Sequence, residues 1–306
     1  MNTGSEPEFH DSAMYDPPRT TCPLCGSPDI APHYTITRFS TPFRVDRCGP
    51  CGFIFMNPPF TDTAVKSFYT EDYYRGSAEY TYYDEREAER YASYVWDSRL
   101  RVIRRYVKEG NFLDIGSSFG GFLRRAGRYY STYGIEMSEY SASHARDEGG
   151  LNVHTGTLAD HPYDADFFSV ITMIEVLEHL KDPATALGEC CRLLKKGGLL
   201  VLQTANMEGL QARILKDRYG YYLPGHLSYF SLRNLSAALR SAGFSRIKVY
   251  RPVEFGLLPK LKKSRSGFHS LWDYRHWIRI SRYHMVSRFS FGNFSPTSSM
   301  VIYAVK

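Results

Sequence analysis

No stretch of this 306-residue chain approaches the ~18 uninterrupted apolar residues that a membrane-spanning helix needs. The segment Met1–Thr20 lacks the apolar core of a secretory signal and the repeated arginines of a transit peptide, so a cytoplasmic address is expected. Cysteine is scarce, with 6 residues, which excludes a disulfide-built scaffold for a chain of this size and setting. Acidic residues are nearly missing from one region. Between Lys260 and Arg288, Asp273 alone faces Lys260, Lys262, Lys263, Arg265, Arg275, Arg279, Arg282 and Arg288. Such a basic surface suits an acidic substrate, a nucleic acid or an anionic membrane, or is simply a solvated helix face.

What the sequence has is a globular composition, 43% hydrophobic and 23% charged, with room for one full α/β domain and a small accessory unit. Tyrosine is abundant, with 24 residues, and crowds between Tyr69 and Tyr94. A stretch that amphipathic is expected to line a pocket and offer hydroxyls to a ligand.

Four of the cysteines form two pairs, Cys22–Cys25 and Cys48–Cys51, each with two residues between its members and each followed by glycine. Doubled knuckles of this kind turn tightly enough to aim four thiolates at one tetrahedral zinc, whereas a redox motif would be single and sit at a helix start. A closed four-thiolate site has no open position, so this zinc is expected to fold the segment rather than do chemistry. Cys190 and Cys191 lie in an apolar helical run and read as inert core.

Along the chain, residues 1–20 read as a disordered tail and 21–60 as the ribbon, with β-rich pieces at His33–Thr37 and Gly52–Met56. Residues 61–108 read as a helical lid and linker, and 109–306 as the main domain. From Asn111 strands and helices alternate, which predicts a parallel sheet with crossover helices. Strands are expected at Phe112–Ile115, Thr132–Glu136, Phe168–Met173 and Leu199–Thr204, and helices at Gly121–Arg128, Ser138–Glu148 and Pro183–Leu194. Lys195-Lys196-Gly197-Gly198 reads as a helix stop. A helix at Leu232–Ala242, a strand at Arg246–Arg251 and a closing strand at Ser299–Val305 follow, with a basic, aromatic insertion at about 253–297.

The segment Phe112-Leu113-Asp114-Ile115-Gly116-Ser117-Ser118-Phe119-Gly120-Gly121 is a buried strand entering a Gly-rich turn and a helix. A dinucleotide fold wants G-x-G-x-x-G for its pyrophosphate. Here Ser118 replaces the middle glycine, and the carboxylate of Asp114 beside the turn suits a cationic amino-acid tail better than a pyrophosphate. Glu136 ends the next strand, where an acid accepts hydrogen bonds from ribose hydroxyls, as NAD or an adenosyl group would require.

With Phe168–Pro183, which includes Met173, Glu175, Glu178 and His179, and with Leu193–Gly198, the order of these motifs resembles the class I S-adenosylmethionine (SAM)-dependent methyltransferases over about 110–250. The resemblance implies a Rossmann-like α/β fold with a seven-stranded, mostly parallel sheet whose last strand is antiparallel. It also implies a cofactor held by Asp114, Gly116, Ser118, Phe119, Gly120, Glu136, Thr157, Leu158 and Met173. In that set Gly116 and Gly120 meet the methionine part, Asp114 its amino group and Glu136 the ribose. Thr157 and Leu158 flank the adenine, and Thr157 stands where many relatives carry an acid.

Gly225-His226-Leu227-Ser228-Tyr229-Phe230-Ser231 together with the cysteine knuckles resembles zinc-ribbon methyltransferases acting on nucleotide-linked deoxysugars. This implies His226 as general base, oriented by Glu175 or a lid tyrosine, with His179 a second candidate; the alternative is a histidine that caps the following helix. Glu175, Glu178, His179 and His226 also resemble the divalent-ion cluster of small-RNA and ubiquinone-pathway O-methyltransferases, although Glu-x-x-Glu-His also occurs without metal. The expected acceptor is a small molecule, a sugar or sugar-containing metabolite bearing phosphate, methylated on oxygen or carbon. A nucleic-acid methyltransferase that binds through the ribbon and insertion, and a non-catalytic scaffold, are the rival expectations.

Overall fold

The computed structural model describes residue 11, residues 13–68, residue 86 and residues 88–306. Tyr69, Tyr73, Tyr74, Tyr80, Tyr82 and Tyr83 of the expected lid lie outside the described residues.

Two sheets organise the chain. The small one is built from β1 (Ile30–Ile36), β2 (Phe43–Cys48) and β3 (Ile54–Met56), all antiparallel. The cysteine pairs sit at its end, where Gly26 (φ 74°) and Gly52 (φ 68°) close the two knuckles by donating to the carbonyls of Cys22 and Cys48. That left-handed backbone is why each pair is followed by glycine. α1 (Asp62–Phe68) follows, and then α2 (Glu89–Ile103), which buries Ala92, Val95, Trp96, Arg99, Leu100 and Ile103 along one face at helical spacing.

The large sheet takes β4 (Asn111–Ile115), β5 (Ser131–Glu136), β6 (Asn152–Thr155), β7 (Phe168–Ile174) and β8 (Leu194–Ala205) in parallel. α3 (Gly121–Ala126), α4 (Glu139–Asp147) and α5 (Pro183–Leu193) supply three of the four connections between these strands. After α6 (Leu210–Leu215), the short β9 (Ser228–Tyr229) and α7 (Leu232–Ser241), the chain forms β10 (Arg246–Tyr250). α8 (Leu257–Ser264) and α9 (Arg275–Ser287) fill the insertion, and β11 (Ser299–Val305) closes the chain. The order is β10-β11-β8-β7-β4-β5-β6, with β11 antiparallel to both neighbours, as expected for a Rossmann-like α/β fold. No helix of the described residues is long and apolar enough to cross a membrane.

Three details depart from the sequence expectation. Lys195–Gly198 do not end a helix: α5 stops at Leu193, and these residues form a bulge in β8 between Leu194, opposite Phe168, and Leu199, opposite Val170. Residues 13–20 are packed rather than a tail. The ring of Tyr15 stacks on Phe60 with centroids 5.1 Å apart, and the Arg19 amide donates to Asn57 Oδ1 at 2.7 Å. Their partners lie some 40 residues away, which local polarity does not reveal. Finally, β9 leaves the large domain to complete the small sheet, pairing Ile54 with Tyr229 and Phe55 with Ser228. Phe53 and Phe55 join Leu113, Ile171 and Phe230 in one core cluster, so ribbon and domain share an apolar interior.

Candidate active site

The four cysteine sulfurs lie within 4.8 Å of one another, with Cys22 Sγ 3.7 Å from Cys51 Sγ and Cys25 Sγ 3.6 Å from Cys48 Sγ. Tetrahedral zinc with bonds of ~2.3 Å needs sulfurs about 3.8 Å apart. A disulfide needs them at about 2.05 Å, and all four are free thiols. The cluster therefore fits a structural zinc, held by both knuckles.

A cavity of about 690 Å³ opens at the carboxyl ends of β4, β5 and β7, beside the switch point where the strand order reverses. One half is built by the first two βα turns. Gly116 (φ 74°) must be glycine, because a Cβ there would stand 2.5 Å from Val176 Cγ2. Asp114 is buried and accepts from Thr172 Oγ1 at 2.5 Å. Glu136 is buried too, and burial pushes its carboxyl above the usual range. Its two oxygens accept from the amides of Ser118 (2.8 Å) and Ser138 (2.9 Å), which ties the second strand to the Gly-rich turn. The hydroxyls of Ser117 and Ser118, both on the cavity wall, are buried with no hydrogen-bond partner among the described residues, as expected of groups that await a polar ligand.

Thr157 and Leu158 line the same half. Thr157 donates from its amide and hydroxyl to Asp160 Oδ1 (2.5 and 3.0 Å), so an acid does stand near this turn, three residues later. Three expected cofactor residues are not on the cavity wall. Met173 is fully buried in the core, because alternation along β7 sends it to the face opposite Thr172. Gly120 starts α3, and the space a side chain would take is filled by Leu151. Phe119 packs edge-on to Tyr140 and His144.

The other half is polar and titratable. The chain from Leu223 to Tyr229 is stitched onto the turn after β7: the Leu227 amide donates to the Glu178 carbonyl at 2.8 Å and Ser228 Oγ to the Leu180 carbonyl at 2.8 Å. This brings His226 to His179, ring centroids 4.7 Å apart, and places Glu178, His179 and His226 in one group whose ligand atoms lie within 4.8 Å. Nδ1 of His179 is 2.7 Å from the Gly225 carbonyl and Nδ1 of His226 2.8 Å from the Tyr221 carbonyl. Carbonyls accept only, so each Nδ1 carries the proton and each Nε2 keeps its lone pair. Burial, then the neighbouring His179, pulls His226 down to about 3. Burial also lowers His179. Burial, then the charge of Glu175, pushes Glu178 up to about 7, against a 2.5 Å hydrogen bond from Tyr221 to Oε1 that works the other way. Glu178 Oε2 is buried without a hydrogen-bond partner among the described residues.

Glu175 lines the cavity but is not joined to His226. It accepts from Gln203 Nε2 at 2.7 Å, and Gln203 accepts from Arg99 at 2.5 Å, which is paired in turn with the buried carboxylate of Glu254. The group that orients His226 is the Tyr221 backbone. Arg99, Gln203, Tyr221 and Glu254 come from four separate segments, so no spacing in the sequence announces them. Lys260 and Lys263 of α8 complete this wall, and burial lowers Lys260 to about 8.

A family model described as a methyltransferase domain matches residues 83–249. Ubiquinone biosynthesis O-methyltransferase of Thiobacillus denitrificans is 36% identical over 102 residues, which cover 31% of this chain and 44% of that protein. An uncharacterized protein of Methanocaldococcus jannaschii is 22% identical over 162 residues, 52% of this chain and 76% of that one. The chain thus spans about half the length, or less, of the O-methyltransferases it matches. Among solved structures, phosphoethanolamine N-methyltransferase 2 of Haemonchus contortus, in complex with SAM, shares the fold with a TM-score of 0.53 at 14% identity, over 89% of this chain and 70% of that one.

Proposed function

The chain belongs to the methyltransferase-domain family, and on that premise we propose that it methylates oxygen or carbon of a small, phosphate-bearing, sugar-containing acceptor. Bound in the half of the cavity built by Asp114, Gly116 and Glu136, SAM supplies an already activated methyl group. Glu136 would accept from the ribose hydroxyls, Asp114 would meet the amino group, Thr157 and Leu158 would flank the adenine, and the unpartnered hydroxyls of Ser117 and Ser118 would gain partners.

His226 carries the reading. Its Nδ1–H is pinned by the Tyr221 carbonyl, which leaves the Nε2 lone pair of this cavity-lining ring as an acceptor for the hydroxyl proton. When the acceptor oxygen takes the methyl group, the carbon–sulfur bond of the sulfonium would break, S-adenosylhomocysteine would leave, and the hydroxyl proton would pass to that nitrogen. Glu178, with an oxygen within 4.8 Å, would offset the positive charge that the imidazole gains in the fraction of molecules where it is ionised. The cavity is of small-molecule size. Gln203, Tyr221 and Glu175 offer hydrogen bonds to a polyol, and Lys260 and Lys263 offer charge to a phosphate.

A second reading has its own observation. Two imidazoles whose Nδ1–H groups are pinned by carbonyls, beside a carboxylate oxygen without a partner, are what a divalent ion requires of its ligands. Glu178, His179 and His226 would hold such an ion, which would acidify the acceptor hydroxyl.

A screen of nucleotide sugars with methyl-labelled SAM tests the acceptor. Label is expected in the sugar portion, and label found only in a transfer-RNA control would sink the assignment. Chelator treatment followed by divalent-ion titration separates the two readings: full turnover without added metal supports the base alone.

A further inference from the structure

We propose that the helical insertion between β10 and β11 docks the protein on an anionic lipid surface. α9 is two-sided. Its inner face is anchored: the Trp277 indole donates to Ser264 Oγ at 3.1 Å, the Tyr283 hydroxyl accepts from the Ser299 amide at 3.0 Å, and Ser287 is buried. Its outer face runs Arg275, Ile278, Arg282 and Met285 at steps of three and four residues, and Phe289 follows in the turn after the helix, all exposed. Ile278 is 62%, Met285 59% and Phe289 71% exposed. The turn leading into the helix adds Leu271 and Trp272, at 86% and 70%. A folded chain rarely leaves apolar side chains of this size aligned in water without a partner.

Charge decides what the partner is. Between Lys260 and Arg288 the only acid is Asp273, and its carboxylate accepts from the amides of His269 and Ser270 at 2.7 Å in a local cap. Cations therefore alternate with apolar groups on one face, with no other acid in that stretch of sequence. A second copy of the same surface would set like charges face to face. RNA would satisfy the cations, but aliphatic Leu271, Ile278 and Met285 gain nothing from base stacking. A bilayer of anionic phospholipid satisfies both: Leu, Ile, Met, Trp and Phe enter the acyl boundary while arginines reach the headgroup phosphates. α8 supplies Lys260 and Lys263 to the cavity and exposed Leu258 to the outside, so the docking element also forms a wall of the site.

The full chain is sedimented with vesicles of phosphatidylcholine and with vesicles that also contain phosphatidylglycerol, and Trp fluorescence is read in parallel. Binding is expected only with phosphatidylglycerol, weakened by salt, with a blue shift in emission. Leu271→Ser combined with Trp272→Ser should lower partitioning about tenfold. Arg279→Glu with Arg282→Glu should lower it further, roughly fivefold for each cation removed. All four positions are exposed, so melting temperature and SAM affinity should match the unaltered chain, which keeps this test separate from that of the methyl-transfer site. Absence of binding to phosphatidylglycerol vesicles at low salt overturns the proposal. So does equal binding by the variants, or retention on transfer RNA with no lipid binding.

Discussion

Replacing Glu136 by alanine tests the cofactor assignment where its consequences can be worked out. The carboxylate is 7% exposed and already accepts from the amides of Ser118 and Ser138. Each oxygen has a second lone pair, which the ribose hydroxyls would use. Hydrogen bonds to a charged group contribute about 1.5–3 kcal/mol each, so losing two weakens SAM binding by at least about 3 kcal/mol, more than a hundredfold in Kd. The fold suffers less. One buried amide and one half-buried amide lose their acceptor, at about 1–3 kcal/mol for the buried one and less for the other, and removing a carboxylate whose burial raises its pKa gives part of that back. Melting should fall by a few degrees while the protein stays folded. Glu136→Gln separates the contributions: its one carbonyl serves one amide, its NH2 group faces the other, and it can still meet the ribose. An affinity loss of about tenfold is expected for it, with a stability loss as large as that of alanine. Calorimetric titration of both variants with SAM, alongside thermal unfolding, reads these quantities. A folded Glu136→Ala protein that binds SAM within about twofold of the unaltered chain would refute the ribose role.

His226→Ala should leave SAM affinity unchanged and lower turnover by about 10²–10⁴-fold, as loss of a general base does; single-turnover kinetics with an identified acceptor would show it, and undiminished rates would remove His226 from the chemistry. Glu178, whose carboxyl is raised from 4.5 to about 7, stabilises the fold fully below about pH 4.5 and loses that contribution as pH rises through about 7, for a total of about 3 kcal/mol. Denaturant unfolding across that window should therefore show a steeper decline for the unaltered chain than for Glu178→Gln, and parallel curves would contradict it. His226, lowered to about 3, acts in the opposite sense: its contribution is present above about pH 6.5 and fades as pH falls below it. Metal analysis of the purified protein should find a zinc that leaves only with denaturation or strong chelation, and Cys48→Ser should lower the melting temperature markedly; a folded, metal-free ribbon would contradict the four-thiolate site.

The large sheet was legible because β4, β7 and β8 are apolar runs buried on both faces and their turns carry glycine, so period and punctuation agreed. β2 was not, because Arg44 and Asp46 interrupt its apolar pattern. Asp46 is 3% exposed only because Asn57 donates to it at 2.6 Å and Arg44 stands 3.2 Å away. The two-residue β9 has no pattern of its own and exists because β3 offers it an edge. At the cavity, Asp114 and Gly116 stand in one continuous motif and Glu136 ends the next strand, and all three are on the wall. The sequence assigned Met173 to the cofactor by its place in a motif, whereas strand alternation decides which way a side chain points. Gln203, which bridges Arg99 to Glu175, lies in an ordinary β8 and has no local signal at all.

The pairing of β9 with β3 changes what a structural zinc would do here. The cysteines close the end of the small sheet, with Cys48 the last residue of β2, and β2 holds β3 through Val45, Asp46 and Arg47. β3 in turn holds the segment that carries His226: the Met56 amide donates to the Leu227 carbonyl at 2.9 Å, next to the histidine itself. On its other side that segment is tied to Glu178 and Leu180. His226 thus lies in a segment held between the ribbon and the turn after β7, with its own Nδ1 on the Tyr221 carbonyl. A four-thiolate ion with no open position takes no part in bond making. By ordering one of the two anchors, a zinc at the four cysteines would still act on the position of His226, through the core that the ribbon and the methyltransferase domain share.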